Sequence, residues 1–238
     1  MTAADPWPAH SPRDVARIRA GMIGFVASGV MTLVGLLLRG PNPVDGHSFD
    51  AAAFVAASLS PHYTLTWALL LANLTVQIFA WLALWGFVRG SRWERLGFWG
   101  MVLSITGNGL FLPVAGVIGL TAPTVARLYQ AGDTGVLAIA NGAVFGPLAL
   151  TFLIASALSL LVGAVLTALL VWRVPGLPKW AAVLYGVHAL CLTMFAQVHY
   201  ALEFSGAPLL LVSSVAIAAA VWRMTAVAVA DDHRRARL

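Results

Sequence analysis

Long apolar runs separated by short charged or turn-rich segments dominate this chain, and none shows the two-residue alternation of a half-buried strand. About 20 residues at 1.5 Å rise cross the roughly 30 Å of bilayer hydrocarbon. On that measure the pattern predicts six spanning helices, at Ile18–Leu38, Tyr63–Val88, Leu96–Leu120, Leu148–Trp172, Trp180–Tyr200 and Ala207–Val229. The expected fold is an all-α polytopic transmembrane bundle of six helices in three hairpins, a single membrane domain over residues 1–238. Short tails, 1–16 and 230–238, flank it.

One stretch resists this partition. From Thr134 to Trp172 there is no charge, and as one helix it would be about 58 Å long, nearly two membranes. Gly146 and Pro147 supply a break, because proline suits the first turn of a new helix and pushes the preceding residue away from helical geometry. Gly135 to Phe145 is therefore expected to lie at the interface, or to dip in and return.

Two connections are long, Arg39–His62 and Thr121–Pro147, whereas the third is expected to turn in about six residues around Glu203, Ser205 and Gly206. Phe49–Leu59 reads as a helix too short to span. Thr121 and Pro123 read as the start of another, stopped at Gly132 and Asp133. These short outer-face helices are expected to cover one end of the bundle, as packing for the loops or as a lid over a cavity.

Charge then orients the arrangement. Of the 14 basic residues, all but Arg39 and Arg127 fall on one side of the six-span layout. Excess Lys and Arg in short loops marks the cytoplasmic face, so both tails are expected there and the long connections opposite. Composition agrees: 60% of the 238 residues are hydrophobic, 10% are charged and the mean hydropathy is +0.87. The basic flanks face anionic headgroups, which accounts for the pI near 10.1 without nucleic acid. The first apolar run is too long for a cleavable signal, and Arg39-Gly40-Pro41 lacks small residues at cleavage spacing.

The segment Thr121 to Asp133, and Val171 to Trp180 with its inner turn Pro175-Gly176-Leu177-Pro178-Lys179, resemble a family of small bacterial six-helix integral membrane proteins of unassigned function. The resemblance implies a bacterial inner-membrane setting and carries no activity or site residue with it.

Candidate chemistry sits where polar groups meet apolar runs, since burying them in hydrocarbon is costly unless they pair. Asn73 and Gln77 fall near the middle of the second expected span, Asn108 of the third and His188 of the fifth. Asn73 and Gln77 are four apart and share a helix face, so the four can gather at one depth. They then form either a ligand-binding site or interhelical hydrogen-bond glue. Around Asn108, Gly107, Gly109, Pro113 and Gly116 predict a kinked helix.

A second group lies toward the outer surface. His62 opens the second expected span, while His199 and Glu203 are expected to close the fifth. His62 and His199 suit axial ligation of a haem b iron, Glu203 with His199 suits a metal, and interfacial anchoring of His and Tyr accounts for both histidines without a cofactor.

Several classes fall away. The only lysine, Lys179, stands at a helix end, which excludes a mid-span Schiff base. No carboxylate lies deep in an expected span, and neither His-Glu-x-x-His nor Gly-x-Ser-x-Gly occurs, so no catalytic residue is assigned. The single Cys191 excludes an intrachain disulfide. What remains is a membrane protein that binds a small apolar or amphipathic molecule, lipid- or quinone-like, or serves as an accessory subunit beside a membrane-protein partner. The alternatives are a haem b redox protein and a purely structural subunit.

Overall fold

A computed structural model of the protein describes residues 11–45, 48–194 and 199–235. The elements run α1 (Pro12–Arg39), β1 (Val44–Asp45), β2 (Ser48–Phe49), α2 (Ala51–Ser58), α3 (Tyr63–Val88), α4 (Glu94–Gln130), α5 (Gly135–Phe145), α6 (Pro147–Arg173), α7 (Lys179–Thr193) and α8 (Tyr200–Arg235). The two strands form a minimal antiparallel hairpin, and the rest is all-α. Among the described residues five segments are long and apolar enough to cross a membrane: α1, α3, α4, α5 with α6, and Tyr200–Ala226 of α8. That fits a multi-pass membrane protein, as does a flank studded with exposed Ile23, Leu37, Phe79, Leu158 and Val215.

The helix ends follow local chemistry. Ser11 caps α1 by accepting the Asp14 amide at 3.2 Å, and Pro12 occupies the first turn, where a missing N–H costs nothing. Gly40, at a φ of 67°, lets the chain leave the other end of α1 while its N–H returns to the Leu36 carbonyl. Gly146 is extended, with ψ at 161°, and Pro147 starts α6 behind it, so the uncharged stretch breaks at the expected pair. α3 occupies Tyr63–Val88, as the apolar pattern predicts.

Long helices neighbouring in sequence also neighbour in space. α1 packs on α3, α3 on α4, α4 on α6, α6 on α7, α7 on α8, and α8 closes the circuit on α1. Small residues set the close approaches. A Cβ on Gly163 would stand 2.5 Å from Ser104 Oγ, and one on Gly21 would overlap Ala83, so α4–α6 and α1–α3 pack nearly backbone to backbone. Toward the end bearing Arg89 and Arg173, the interior is filled by Met22, Phe25, Phe87, Leu170, Tyr185 and Val221 with their neighbours. A second core, Phe49, Phe54, Tyr63, Ala122, Ala126 and Val144, lies at the opposite, loop-bearing end.

Three expectations are corrected. No helix begins at Thr121: α4 runs unbroken through Pro113 and Pro123 and stops at Ala131, before Gly132 at a φ of 101°. Proline removes one helical N–H and crowds the carbonyl four residues back, yet the helix continues past both positions. The Tyr63 hydroxyl donates at 2.8 Å to the Ile118 carbonyl, one residue before the carbonyl that Pro123 leaves without its usual amide.

The fifth helix ends at Thr193, short of the expected Tyr200, and at 15 residues α7 is about 22 Å long. Glu203, Ser205 and Gly206, expected in a turn, lie inside α8, which also runs through Pro208. Gly206 marks a contact instead, since a Cβ there would sit 2.9 Å from that of Cys191. Residues 195–198, on which the end of the expected fifth span falls, lie outside the described residues.

The loop-bearing end carries a cap. α2 and α5 both pack on the far part of α4, and the Phe49 amide donates to Asn141 Oδ1 at 2.9 Å, tying the strand hairpin to α5. Phe49 stacks with Phe54 and meets Phe145 edge-on. The space left between cap and bundle, against Phe54, Val117, Ala122 and Val144, amounts to about 10 Å³. That is hardly room for one water, so the described cap residues pack closely on α4 at this point.

Candidate functional site

The polar groups halfway along the bundle are neutral, buried and only partly satisfied. Asn108 of α4 is fully buried, and its Nδ2 donates both to the Leu74 carbonyl at 2.8 Å and to Gln77 Oε1 at 3.1 Å on α3. One turn away, Asn73 Nδ2 donates to Thr32 Oγ1 of α1 at 3.0 Å. Ser156 of α6 donates to the Gly107 carbonyl at 2.8 Å, beside Asn108. These contacts stitch α1 to α3, α3 to α4 and α4 to α6 at one level. Counted at 1.5 Å per residue, Asn73 lies about 15 Å from the start of α3 and Asn108 about 21 Å from the start of α4. The starts are at opposite ends of the bundle, so both fall near its middle.

Each of the two asparagines keeps an unpaired oxygen. Asn73 Oδ1, Asn108 Oδ1 and Ser28 Oγ are buried without a hydrogen-bond partner among the described residues, and so is Trp85 Nε1 toward the basic end of α3. Most buried polar groups are paired, so several orphans at one depth call for an explanation. Gln77 is less enclosed than Asn108. It joins the buried amide to the half-buried surface of α3, and Gly109, next along α4, is exposed, with open space where a Cβ would stand.

His188 stands apart from this group. Its ring lies 4.4 Å from that of Tyr185, whose hydroxyl accepts from Trp81 Nε1 at 3.1 Å and whose ring meets Phe25 edge-on. The structure thus brings Asn108 to Gln77 and places Asn73 beside them facing α1, while His188 joins an aromatic cluster between α1, α3 and α7. No family model, curated protein or solved structure matches the chain. The reading of the site rests on its own geometry.

At the loop-bearing end, His62 immediately precedes α3 and His199 immediately precedes α8, both exposed. α1 packs against each of those two helices. His199 and Glu203 open the eighth helix instead of closing the fifth span. Glu203 is buried, and its carboxylate binds the guanidinium of Arg39 in an ion pair enclosed on both sides. Among the described residues no group of three or more His, Cys, Asp or Glu is placed to hold a metal ion. Tyr200 reinforces the same junction by donating to the Leu36 carbonyl at 2.8 Å.

Sequence reasoning missed Thr32, Ser28 and the Arg39–Glu203 pair. Thr32 and Ser28 are short hydroxyls of the kind that bond their own helix, so nothing in the chain sets them apart. The ion pair did leave a signal: Arg39 is one of the two basic residues outside the basic side, and Glu203 is an acid between two apolar runs.

Proposed function

We propose that this is a six-crossing protein of a bacterial cytoplasmic membrane, with three helix hairpins and both termini on the cytoplasmic side, that binds a small amphipathic, lipid- or quinone-like molecule. The closed circuit of contacts among the six long helices supports six crossings. The basic residues gathered at one end support the orientation.

A single observation carries the binding reading: the Asn108–Gln77 pair on the α3–α4 seam, where a buried amide keeps a free acceptor oxygen. A ligand hydroxyl donating to Asn108 Oδ1 would satisfy it, while an apolar tail lay in the seam over Gly109. The groups are uncharged and hold no nucleophile, so they suit holding and orienting a molecule. Entry from the membrane flank, through lipid, fits the close packing of Phe49, Phe54, Ala122 and Val144 at the cap.

The test is an inventory of what stays bound after mild purification, by mass spectrometry of wild type and Asn108→Leu. An amphiphile retained by the wild type and lost from the variant supports the reading. Identical inventories from two equally folded proteins overturn it and leave the amides as interhelical glue. Reporter fusions at each terminus and in the Arg39–His62 connection check the orientation separately.

A further inference from the structure

A different region meets the requirements of a charged amphiphile. The turn between α3 and α4 opens into a cleft of about 550 Å³ lined by Ser91, Arg92, Glu94, Arg95 and Phe98. We propose that this cleft binds the phosphate headgroup of an anionic glycerophospholipid, with Arg92 and Arg95 as its ligands and an aromatic shelf beneath for the glycerol and upper acyl chains. The proposal assumes that the basic end lies at a membrane surface, and it is independent of the amide seam, about 20 Å away along α4 at 1.5 Å per residue.

Three features set this turn apart. First, its one acid is withdrawn: Glu94 Oε2 accepts the Gly90 amide at 2.9 Å, on the backbone of the tight turn. Second, the arginines remain presented. Arg92 lies over the Trp93 ring at 4.4 Å, Arg89 over Trp85 at 5.6 Å, and Arg95 is exposed with no partner among the described residues. Guanidinium groups match phosphate oxygens in planar, two-pronged geometry, and they stack on aromatic faces without giving up their donors.

Third, the one aromatic that lines the cleft, Phe98, belongs to a row of rings beside it. Trp85 meets Phe98 edge-on at 6.2 Å, and Phe98 meets Trp99 at 5.4 Å. Phe98 and Trp99 are both exposed on the flank just below the arginines. A soluble anion would use the rim and ignore the shelf, whereas an anionic phospholipid uses both. Elsewhere at this end Arg19 donates to Thr225 Oγ1 at 3.2 Å, Arg223 donates to the Ala219 carbonyl at 3.3 Å, Arg17 pairs with Asp14, and Lys179 is a single cation over Trp172.

The test uses the full chain, delipidated in detergent and titrated with dioleoylphosphatidylglycerol, dioleoylphosphatidylcholine or glycerol 3-phosphate, and read by native mass spectrometry. Phosphatidylglycerol is expected to bind about thirtyfold more tightly than phosphatidylcholine, from two arginines at a headgroup. Arg92→Gln with Arg95→Gln should abolish that preference, while the charge-matched pair Arg13→Gln with Arg17→Gln on the first turns of α1 leaves it intact. Phe98→Ala should weaken both lipids and keep the preference. The proposal fails if both arginine pairs lose the preference equally, since general surface charge then explains it, or if Arg92→Gln with Arg95→Gln keeps it. It also fails if glycerol 3-phosphate displaces the lipid at equal concentration, which would make the cleft a free-phosphate site.

Discussion

At the loop-bearing end, Arg39 and Glu203 are buried together and complete each other's charge, whereas halfway down the bundle Asn73 and Asn108 are buried with one amide oxygen each to spare. Both arrangements join helices that the chain places far apart or side by side, but they differ in what they tolerate. An unpaired charge in a low-dielectric interior costs several kcal/mol, so the ion pair exists only as a closed unit. A neutral amide with one free lone pair costs far less, and can keep it for a second molecule. Groups of the first kind fix the bundle; those of the second leave a binding option open.

The sharpest way to break this contrast is at the ion pair. Arg39→Met should cost about 3 to 5 kcal/mol, because Glu203 is left buried without its partner. Arg39→Met with Glu203→Leu should recover most of that loss. Unfolding in mixed detergent micelles measures both, and a single substitution costing less than about 1 kcal/mol would show a solvated pair and remove the contrast. Next in size, Gly163→Leu should cost about 1 to 3 kcal/mol by forcing α6 off Ser104 of α4, leaving the Arg39–Glu203 pair in place. The same assay should then show Asn108→Leu retaining its amphiphile-free stability to within about 2 kcal/mol, because the hydrogen bonds lost are offset by removal of an unpaired oxygen. Smallest is Thr32→Val, expected at about 0.6 kcal/mol, since it removes one interhelical bond and leaves Asn73 buried. A larger effect there would mean that the α1–α3 contact depends on this hydroxyl far more than the α3–α4 seam depends on its amides.

What could be read from the chain followed the physics of each signal. Tyr63–Val88 is bounded by polar residues at both ends, and Gly146–Pro147 breaks an uncharged run by backbone constraint alone, so both were legible. The boundary between α7 and α8 was not, because Glu203 reads as a loop residue until Arg39 is known to reach it from the opposite end of the sequence. Pro123 failed for a related reason: a proline in an apolar run reads as a helix start, whereas α4 continues through it. Within the candidate site, Asn73, Gln77 and Asn108 were found because amides are rare in apolar runs. The separation of His188 from them was hidden, since depth along a helix is readable from spacing whereas facing across a bundle depends on how α7 is rotated. Arg92 and Arg95 had been counted only as orientation signals, and the aromatic shelf beneath them appears when Trp85 of α3 meets Phe98 of α4.

The continuity of α4 gives the cap a mechanical character. Its 37 residues make a rod of about 55 Å that carries the seam amide, the Pro113 position and the cap-bearing end on one axis. A hinge at Pro113 would act as a fulcrum: a bend of roughly 5° there would swing Gln130, about 25 Å away, through about 2 Å. A bend beside Asn108 would then reach Ala122 and Ala126, which pack with Phe49 and Phe54 in the outer core.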